Sequence, residues 1–163
     1  MIHPLKIDDL PLVKTLAHQI WPECYAKILE KEQINYMLHK FYSIKNLENL
    51  YENNHKFIVL YQENIPVGYA SYEHNVNGSN KTHLHKLYID TKLHKKGFGQ
   101  KLINYVIMQT AIQGEPCVLL NVNRNNDALK FYEKNNFKII RSEDIDIGEG
   151  YLMEDFVMEK ELI

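Results

Sequence analysis

The sequence has little cysteine and no long apolar run. Its 163 residues include two cysteines, Cys24 and Cys117, and neither stands in a C-x-x-C pair. A disulfide framework or a cysteine zinc site is therefore not expected, and the thiols read as reduced, as in a cytoplasmic protein. The longest apolar stretches, such as Phe57-Ile58-Val59-Leu60-Tyr61, fall far short of the ~20 residues of a membrane span. Met1-Ile2-His3-Pro4-Leu5-Lys6 lacks the apolar core of a signal peptide. Neither charge sign dominates, since the formal net charge is -2, whereas a dedicated nucleic-acid binder is usually basic over one whole face. With 45% apolar and 25% charged residues, the composition is that of a globular chain, not a collagenous, mucin-like or disordered one. The length suits a single domain, 1–163, that buries roughly 70% of the surface of its unfolded chain.

What charge there is falls unevenly. Residues 81–101 carry six lysines against Asp90, a local balance of +5. Residues 141–163 carry Arg141 and Lys160 against eight acids, a balance of -6. The basic window suggests a site for one anionic ligand. The acidic end reads either as a solvated strand face or as a site that attracts cations.

Periodicity divides the chain into alternating elements, without repeats or a long linker. Leu10, Leu12, Val13, Leu16, Ala17 and Ile20 follow Asp8 and Asp9 at helical spacing, so a helix is expected over 9–21, with Pro22 ending or kinking it. Ile34, Met37, Leu38 and Phe41 mark a second helix and residues 47–51 a third. The period then changes. Residues 55–61 and 67–74 read as strands joined across Glu63-Asn64, and 82–89 as another. A helix over 97–113, closed by Gly114 and Pro116, precedes a buried strand at 117–122. A helix at 127–134, capped by Asn125-Asn126, leads to a final hairpin of 137–147 and 151–161. The order is β-αα-βββ-α-β-α-ββ, an α/β fold with a mixed sheet and helices on both faces.

The most informative segment is the turn after the strand at 82–89, His94-Lys95-Lys96-Gly97-Phe98-Gly99-Gln100. A strand runs into a glycine-containing turn that opens a helix. The first helical turn has free N–H groups and the positive end of the dipole, and glycines let a phosphate come close. This is neither a Walker loop nor the complete dinucleotide fingerprint. The competing reading is that Gly97 and Gly99 only permit tight helix packing. A second segment runs Asn125-Asn126-Asp127-Ala128-Leu129-Lys130-Phe131-Tyr132, with Phe137 beyond it.

Together these segments resemble the GNAT superfamily of acyl-CoA-dependent N-acyltransferases. The family motif R/Q-x-x-G-x-G/A is matched by His94-Lys95-Lys96-Gly97-Phe98-Gly99, with His94 in place of Arg or Gln. The motif N-x-x-A-x-x-F-Y-x-x-x-G-F is matched by Asn125, Ala128, Phe131, Tyr132 and Phe137, with Asn136 in place of Gly. The resemblance covers the whole chain. It implies a single-domain GNAT fold, a mostly antiparallel sheet of about seven strands splayed at its centre. Acetyl-CoA would be the co-substrate, and transfer would go directly to an amine with no metal and no covalent acyl-enzyme. Leu87, Tyr88 and Ile89 would pair with the pantetheine arm. Amides from Lys95 through Gln100, beside His94, would hold the pyrophosphate, and Asn121 and Asn125 would complete the cofactor contacts. Tyr132 would protonate the departing thiolate, a task that suits a neutral phenol; the competing reading is a core aromatic. Pairing of copies through sheet edges, a homodimer, is a family habit.

An amine must lose a proton before it attacks. His83 and His85, two residues apart on one strand, face the same side, and an imidazole of pKa near 6.5 takes protons at neutral pH. The arylalkylamine N-acetyltransferases look similar here, with an H-x-H pair used as a proton relay. The same pair could instead bind zinc together with His74 or an acidic residue, as in a zinc hydrolase, or be two inert strand residues. On the acceptor side the resemblance implies Trp21, Tyr25 and Tyr151, with Tyr36, Tyr42 and the acids Asp144, Asp146, Glu149 and Asp155 nearby. Aromatics with carboxylates suit a small organic cation or polyamine, and parts of the chain look like the bacterial branch that includes polyamine acetyltransferases. These residues could equally be core and solvated surface. A GNAT fold that holds CoA as a sensor without transfer is the alternative function. No nucleic-acid or membrane partner is expected.

Overall fold

A computed structural model describes residues 1–162, so Ile163 lies outside the described residues. In chain order the elements are β1 Ile2–Pro4, α1 Leu10–Cys24, α2 Lys31–Tyr42, α3 Ile44–Glu52, β2 Lys56–Gln62, β3 Ile65–Glu73, β4 Thr82–Ile89, α4 Phe98–Gln113, β5 Cys117–Asn123, α5 Ala128–Lys134, β6 Lys138–Gly148 and β7 Tyr151–Glu161. The strands form one sheet in the order β1-β2-β3-β4-β5-β7-β6. Every neighbouring pair is antiparallel except β4–β5. This is the α/β architecture that the periodicity and the family resemblance imply. Among the described residues, no helix is long and apolar enough to cross a membrane.

Alternation along the strands builds two cores. Phe57, Val59 and Tyr69 point to one face, where Leu10, Val13, Leu16, Ala17, Ile20, Ile34, Met37 and Leu38 cover them from α1 and α2. Ile58, Leu60, Ala70, Leu84, Val118 and Leu120 point to the other, against Leu102, Ile103 and Val106 of α4. The Glu63-Asn64 turn takes positive φ at both residues, 50° and 67°, the conformation that suits a two-residue hairpin. Pro22 lies inside α1 and does not end it. The ring removes the donor to the His18 carbonyl, and the helix runs on to its C-cap Tyr25, whose N–H donates to Trp21 O at 2.9 Å.

The last hairpin is held down by α2. Tyr36 Oη donates to the Ile147 carbonyl at 2.6 Å, Lys40 donates to the same oxygen, and Gln33 Nε2 donates to Leu152 O at 2.9 Å. Gly148 makes that approach possible: its φ is +95°, and a Cβ there would lie 2.6 Å from Tyr36 Oη. Gly148→Ala is expected to cost about 2–4 kcal/mol, combining left-handed strain with overpacking. A urea midpoint equal to that of the parent would show that the tip yields freely.

Candidate functional site

The sheet opens between β4 and β5. Their parallel pairing spans three residue pairs, Thr82–Val118, His83–Leu119 and Leu84–Leu120. Beyond them β4 follows β3 and β5 follows β7, so the strands part. Leu87, Tyr88 and Ile89 line one side of the gap, and Asn121 with its neighbours lines the other.

The glycine turn stands at the end of β4. Asp90 caps a short 3-10 turn over Thr91–Leu93 by accepting from Lys92 N at 3.0 Å. His94 then turns its ring back, and Nε2 donates to Ile89 O at 3.0 Å. The His94 side chain therefore braces the turn, leaving its backbone for a ligand. Lys95 and Gly97 take positive φ, 64° and 85°, and α4 starts at Phe98 with Gly97 as an N-cap that offers no side chain to its N–H groups. The first helical bond of this turn is Lys101 N to Gly97 O, 3.2 Å, so the amides of Phe98, Gly99 and Gln100 have no intrahelical acceptor. Nothing lies within 4 Å of a Cβ built on Gly97. That glycine serves the backbone conformation, not packing, and the space beside it fits a phosphate. Gly99 does pack, since its Cβ would meet Phe131 Cζ at 3.5 Å. Gln100 Nε2 also donates to Asn135 Oδ1 at 2.7 Å. The two sequence motifs thus touch.

Asn125 precedes α5, its N–H donating to Asn123 Oδ1 at 2.9 Å. Neither Asn125 nor Asn126 is the N-cap of α5, which is Asp127; Asn126, just before it, accepts from Ala128 N at 2.9 Å. Tyr132 is buried between Phe131 and Phe137, with ring centroids 5.3 and 5.8 Å away. Burial pushes its phenol well up, so it is neutral at pH 7. Tyr25 approaches from the opposite face. Its phenol is raised mainly by burial, and Tyr132 adds to the shift through the gap.

A bulge sets which β4 side chains share a face. Ser71 faces Lys86 while Tyr72 faces Leu84, so His85 is the extra residue of β4. Strict alternation would send Lys86 to the α4 core beside Leu84. The bulge instead turns it toward α2, with Nζ 5.3 Å from the Tyr42 ring. The His83 and His85 rings stack at 4.3 Å and 7°, and His55, from the residue before β2, stacks on His85 at 4.2 Å and 14°. Glu73 Oε1 lies 3.0 Å from His85 Nε2 and 3.4 Å from His55 Nε2. Burial lowers His83 and His55 to about 4 and His85 to about 2, so all three are neutral at pH 7. Burial also lowers Lys86 to about 8 and raises Glu73.

His55, Glu73 and His85 offer three donor atoms within 4.8 Å of one another. Imidazole lone pairs lie in the ring plane, however, and planes only 14° apart aim them side by side instead of at one point. The expected zinc partner His74 is elsewhere. Its Nδ1 lies 2.9 Å from Thr82 Oγ1, in a network with buried Glu115.

From His83 a polar track continues across the gap. Asn121 Nδ2 donates to Glu143 Oε2 and Asp155 Oδ2, both at 3.3 Å, so its side chain is engaged by the acids of β6 and β7 and not by the glycine turn. Asp155 is 3% exposed, burial raises its carboxyl, and among the described residues it forms no salt bridge. Glu143 is held low by its bond from Arg141. The other expected acids serve the surface: Asp144 pairs with Arg124 at 2.6 Å, and Asp146 accepts from Gly148 N at 2.8 Å.

The expected acceptor aromatics lie deeper than a cleft wall. Trp21 is 4% and Tyr25 7% exposed. Trp21 Nε1 donates to Tyr69 Oη at 3.1 Å, and the Tyr25 and Tyr88 hydroxyls are 2.8 Å apart. Trp21 is thus the floor of the site, whereas Tyr25 brings its hydroxyl toward the gap. Tyr151 packs on Tyr36 at 5.1 Å, under the hairpin tip. Cys24 and Cys117 are pushed up by burial to about 11 and about 12, so neither offers a thiolate. Sequence reasoning missed His55, Glu73 and Lys86. Glu73 had a usable signal, as it pairs directly with His83 in the hairpin register. His55 had none.

No curated protein matches the sequence significantly. Among solved structures, the PaiA N-acetyltransferase from Thermoplasma acidophilum, in complex with coenzyme A, is 27% identical over 99% of both chains with a TM-score of 0.80. An N-acetyltransferase from Staphylococcus aureus shares the fold at 18% identity, TM-score 0.72, over 100% of this chain and 98% of its own. The family model for the acetyltransferase (GNAT) domain matches residues 16–160. That match takes in the glycine turn, the parted strands and the Tyr132 helix alike, and the chain belongs to the GNAT acetyltransferase family.

Proposed function

We propose that the protein transfers an acetyl group from acetyl-CoA to the primary amine of a small molecule carrying a second positive charge, as polyamines do. The gap between β4 and β5 supports the donor half of this reading. It is flanked by the open turn at Gly97 and by Tyr132. Amides of residues 95–100 would hold the pyrophosphate, and the free edge of residues 87–89 the pantetheine arm. When bound, acetyl-CoA supplies a thioester whose C–S bond breaks as the amine's C–N bond forms. The chain manages the protons. One leaves the ammonium for the His83–His85 stack and then solvent. A second leaves the nitrogen, and the Tyr132 hydroxyl provides its equivalent to sulfur.

The observation that carries the acceptor half is Asp155. A buried carboxylate without a direct ion pair is costly: Asn121 donates to it, Glu143 adds a like charge, and the nearest cation, Arg124, donates to the Asp155 backbone carbonyl and pairs with Asp144 instead of with this carboxylate. A distal ammonium would supply that ion pair, with the paired Tyr25 and Tyr88 hydroxyls as neutral acceptors nearby. The pH dependence differs from that of an ordinary imidazole. With His83 at about 4, the relay is not blocked by protonation between pH 6.5 and 5.

The test is calorimetric titration with acetyl-CoA, followed by thiol release with a panel of amines. Micromolar binding and release with diamines and polyamines is expected. Release with monoamines or peptide N-termini alone would remove the cationic acceptor. Binding without release on any amine would favour a CoA sensor, and no binding would overturn the donor site.

A further inference from the structure

We propose that Glu73 and His55 are positioning residues for His85, holding its proton on Nε2 so that Nδ1 is the atom that receives the acceptor's proton, and that Glu73 supplies the charge balancing that proton. The inference rests on the amine-acetylating reading above, but its first test does not require turnover.

The argument begins with burial. Three stacked neutral imidazoles make a poor proton acceptor, since each positive charge would be poorly solvated there. A second proton would add like-charge repulsion between rings only 4.2–4.3 Å apart. The stack can therefore hold one proton at most. Glu73 changes the charge of the site. A carboxylate beside a neutral imidazole carries net -1, and accepting one proton makes the pair neutral, which favours uptake in a desolvated position. The contact at 3.0 Å runs to His85 Nε2. A carboxylate only accepts, so that nitrogen carries the hydrogen and Nδ1 is free. His55 Nε2 passes within 3.4 Å of the same oxygen without a formed hydrogen bond, and its ring lies flat on the His85 ring at 4.2 Å, which holds the plane of His85. His55 Nδ1 is buried without a partner, a second sign that this polar cluster is built for more than packing.

The remaining charged neighbours are consistent with one proton. From its own strand, Lys86 and His83 oppose protonation of His85; from the residue before β2, so does His55. Around His83, Glu143 of β6 favours protonation, Arg141 opposes it, and Asn121 of β5 favours it. Glu73 on β3 is the acid nearest His85.

The first measurement is long-range nitrogen–proton NMR on histidine-labelled wild-type protein. His85 in the Nε2–H form at pH 7 is expected, and an Nδ1–H form would overturn the proposal. The second is the pH–rate profile of Glu73→Gln, which keeps the shape and removes the charge. At pH 7 its kcat should fall about 30- to 100-fold, within the usual reach of acid–base groups, with acetyl-CoA affinity unchanged. The rate should climb nearly tenfold per pH unit toward pH 9 as the amine loses its proton in solution, whereas the wild-type rate stays flat. Glu73→Asp should restore part of the rate. A Glu73→Gln profile parallel to wild type would overturn the proposal while leaving the acetyltransferase reading intact; a wild type inert with every amine would sink that reading instead, and the NMR result would still decide the tautomer. If Glu73→Gln does not fold, His55→Phe, which keeps the stacked ring and loses the N–H, carries the same test through a smaller drop in kcat and a partial loss of the Nε2–H form. One-to-one Zn²⁺ binding at micromolar concentration, lost in Glu73→Gln and in His55→Phe, would also overturn the proposal.

Discussion

Gly97→Glu is expected to weaken acetyl-CoA binding at least 100-fold, about 2.7 kcal/mol. The residue occupies φ +85° with nothing within 4 Å of the Cβ position. The new side chain therefore meets no protein atom near its root, and the left-handed backbone costs only about 1–2 kcal/mol. The protein should fold. The carboxylate would stand where the free amides of Phe98, Gly99 and Gln100 point, and it would both repel the pyrophosphate and compete for those donors. Calorimetry on the folded variant measures the effect. Gly97→Asn separates charge from shape, because Asn tolerates this conformation and adds no charge; it should lose far less affinity. Full-strength binding by the Glu variant would mean that the pyrophosphate sits elsewhere.

Tyr132→Phe should lower kcat by about 10²- to 10³-fold while leaving acetyl-CoA affinity close to that of the parent. The substitution deletes one oxygen. The ring keeps its contacts with Phe131 and Phe137, so the helix and the turn it touches through Gly99 should stay in place. Burial raises the phenol, which keeps it protonated at neutral pH. That is the state a donor to a leaving thiolate requires. Stopped-flow thiol release against binding calorimetry gives the split. An unchanged kcat would hand the leaving-group proton to another residue and return Tyr132 to the core.

Much of this was legible in the chain itself, and what was not had identifiable causes. The strand at 82–89 and the closing strand at 151–161 fall where alternation and turn residues put them, because both are bounded by strong local signals. The Glu63-Asn64 turn announced itself through residues that tolerate positive φ. Pro22 misled by a general rule: a proline one turn from a helix end removes a single donor and need not stop the helix. Alternation alone also sends Lys86 to the wrong core, since nothing local marks the bulge at His85. The cofactor turn could be read because its chemistry lies in consecutive residues. The acceptor side could not, because it is assembled by pairing. His55 and His85 meet only when β2, β3 and β4 are in register, and Asp155 meets Asn121 only across β5 and β7. Trp21 and Tyr25 were expected in a cleft because the family resemblance puts their helix there, and a helix's place in the fold does not distinguish a wall from the floor beneath it.

The short pairing of β4 with β5 makes the sheet a pair of plates joined along a narrow spine. One plate carries β1 to β4, the other β5 to β7, and three residue pairs connect them. Leu84 and Leu120, the last pair before the strands part, are 3% and 1% exposed and turn their side chains into the core under α4. The helix therefore lies across the crotch and bears on both plates at once. A shift of α4 against that pair would tilt whole strands relative to each other, with the displacement growing toward the open end by leverage. The mouth is thus held from its apex, by packing on the face of the sheet.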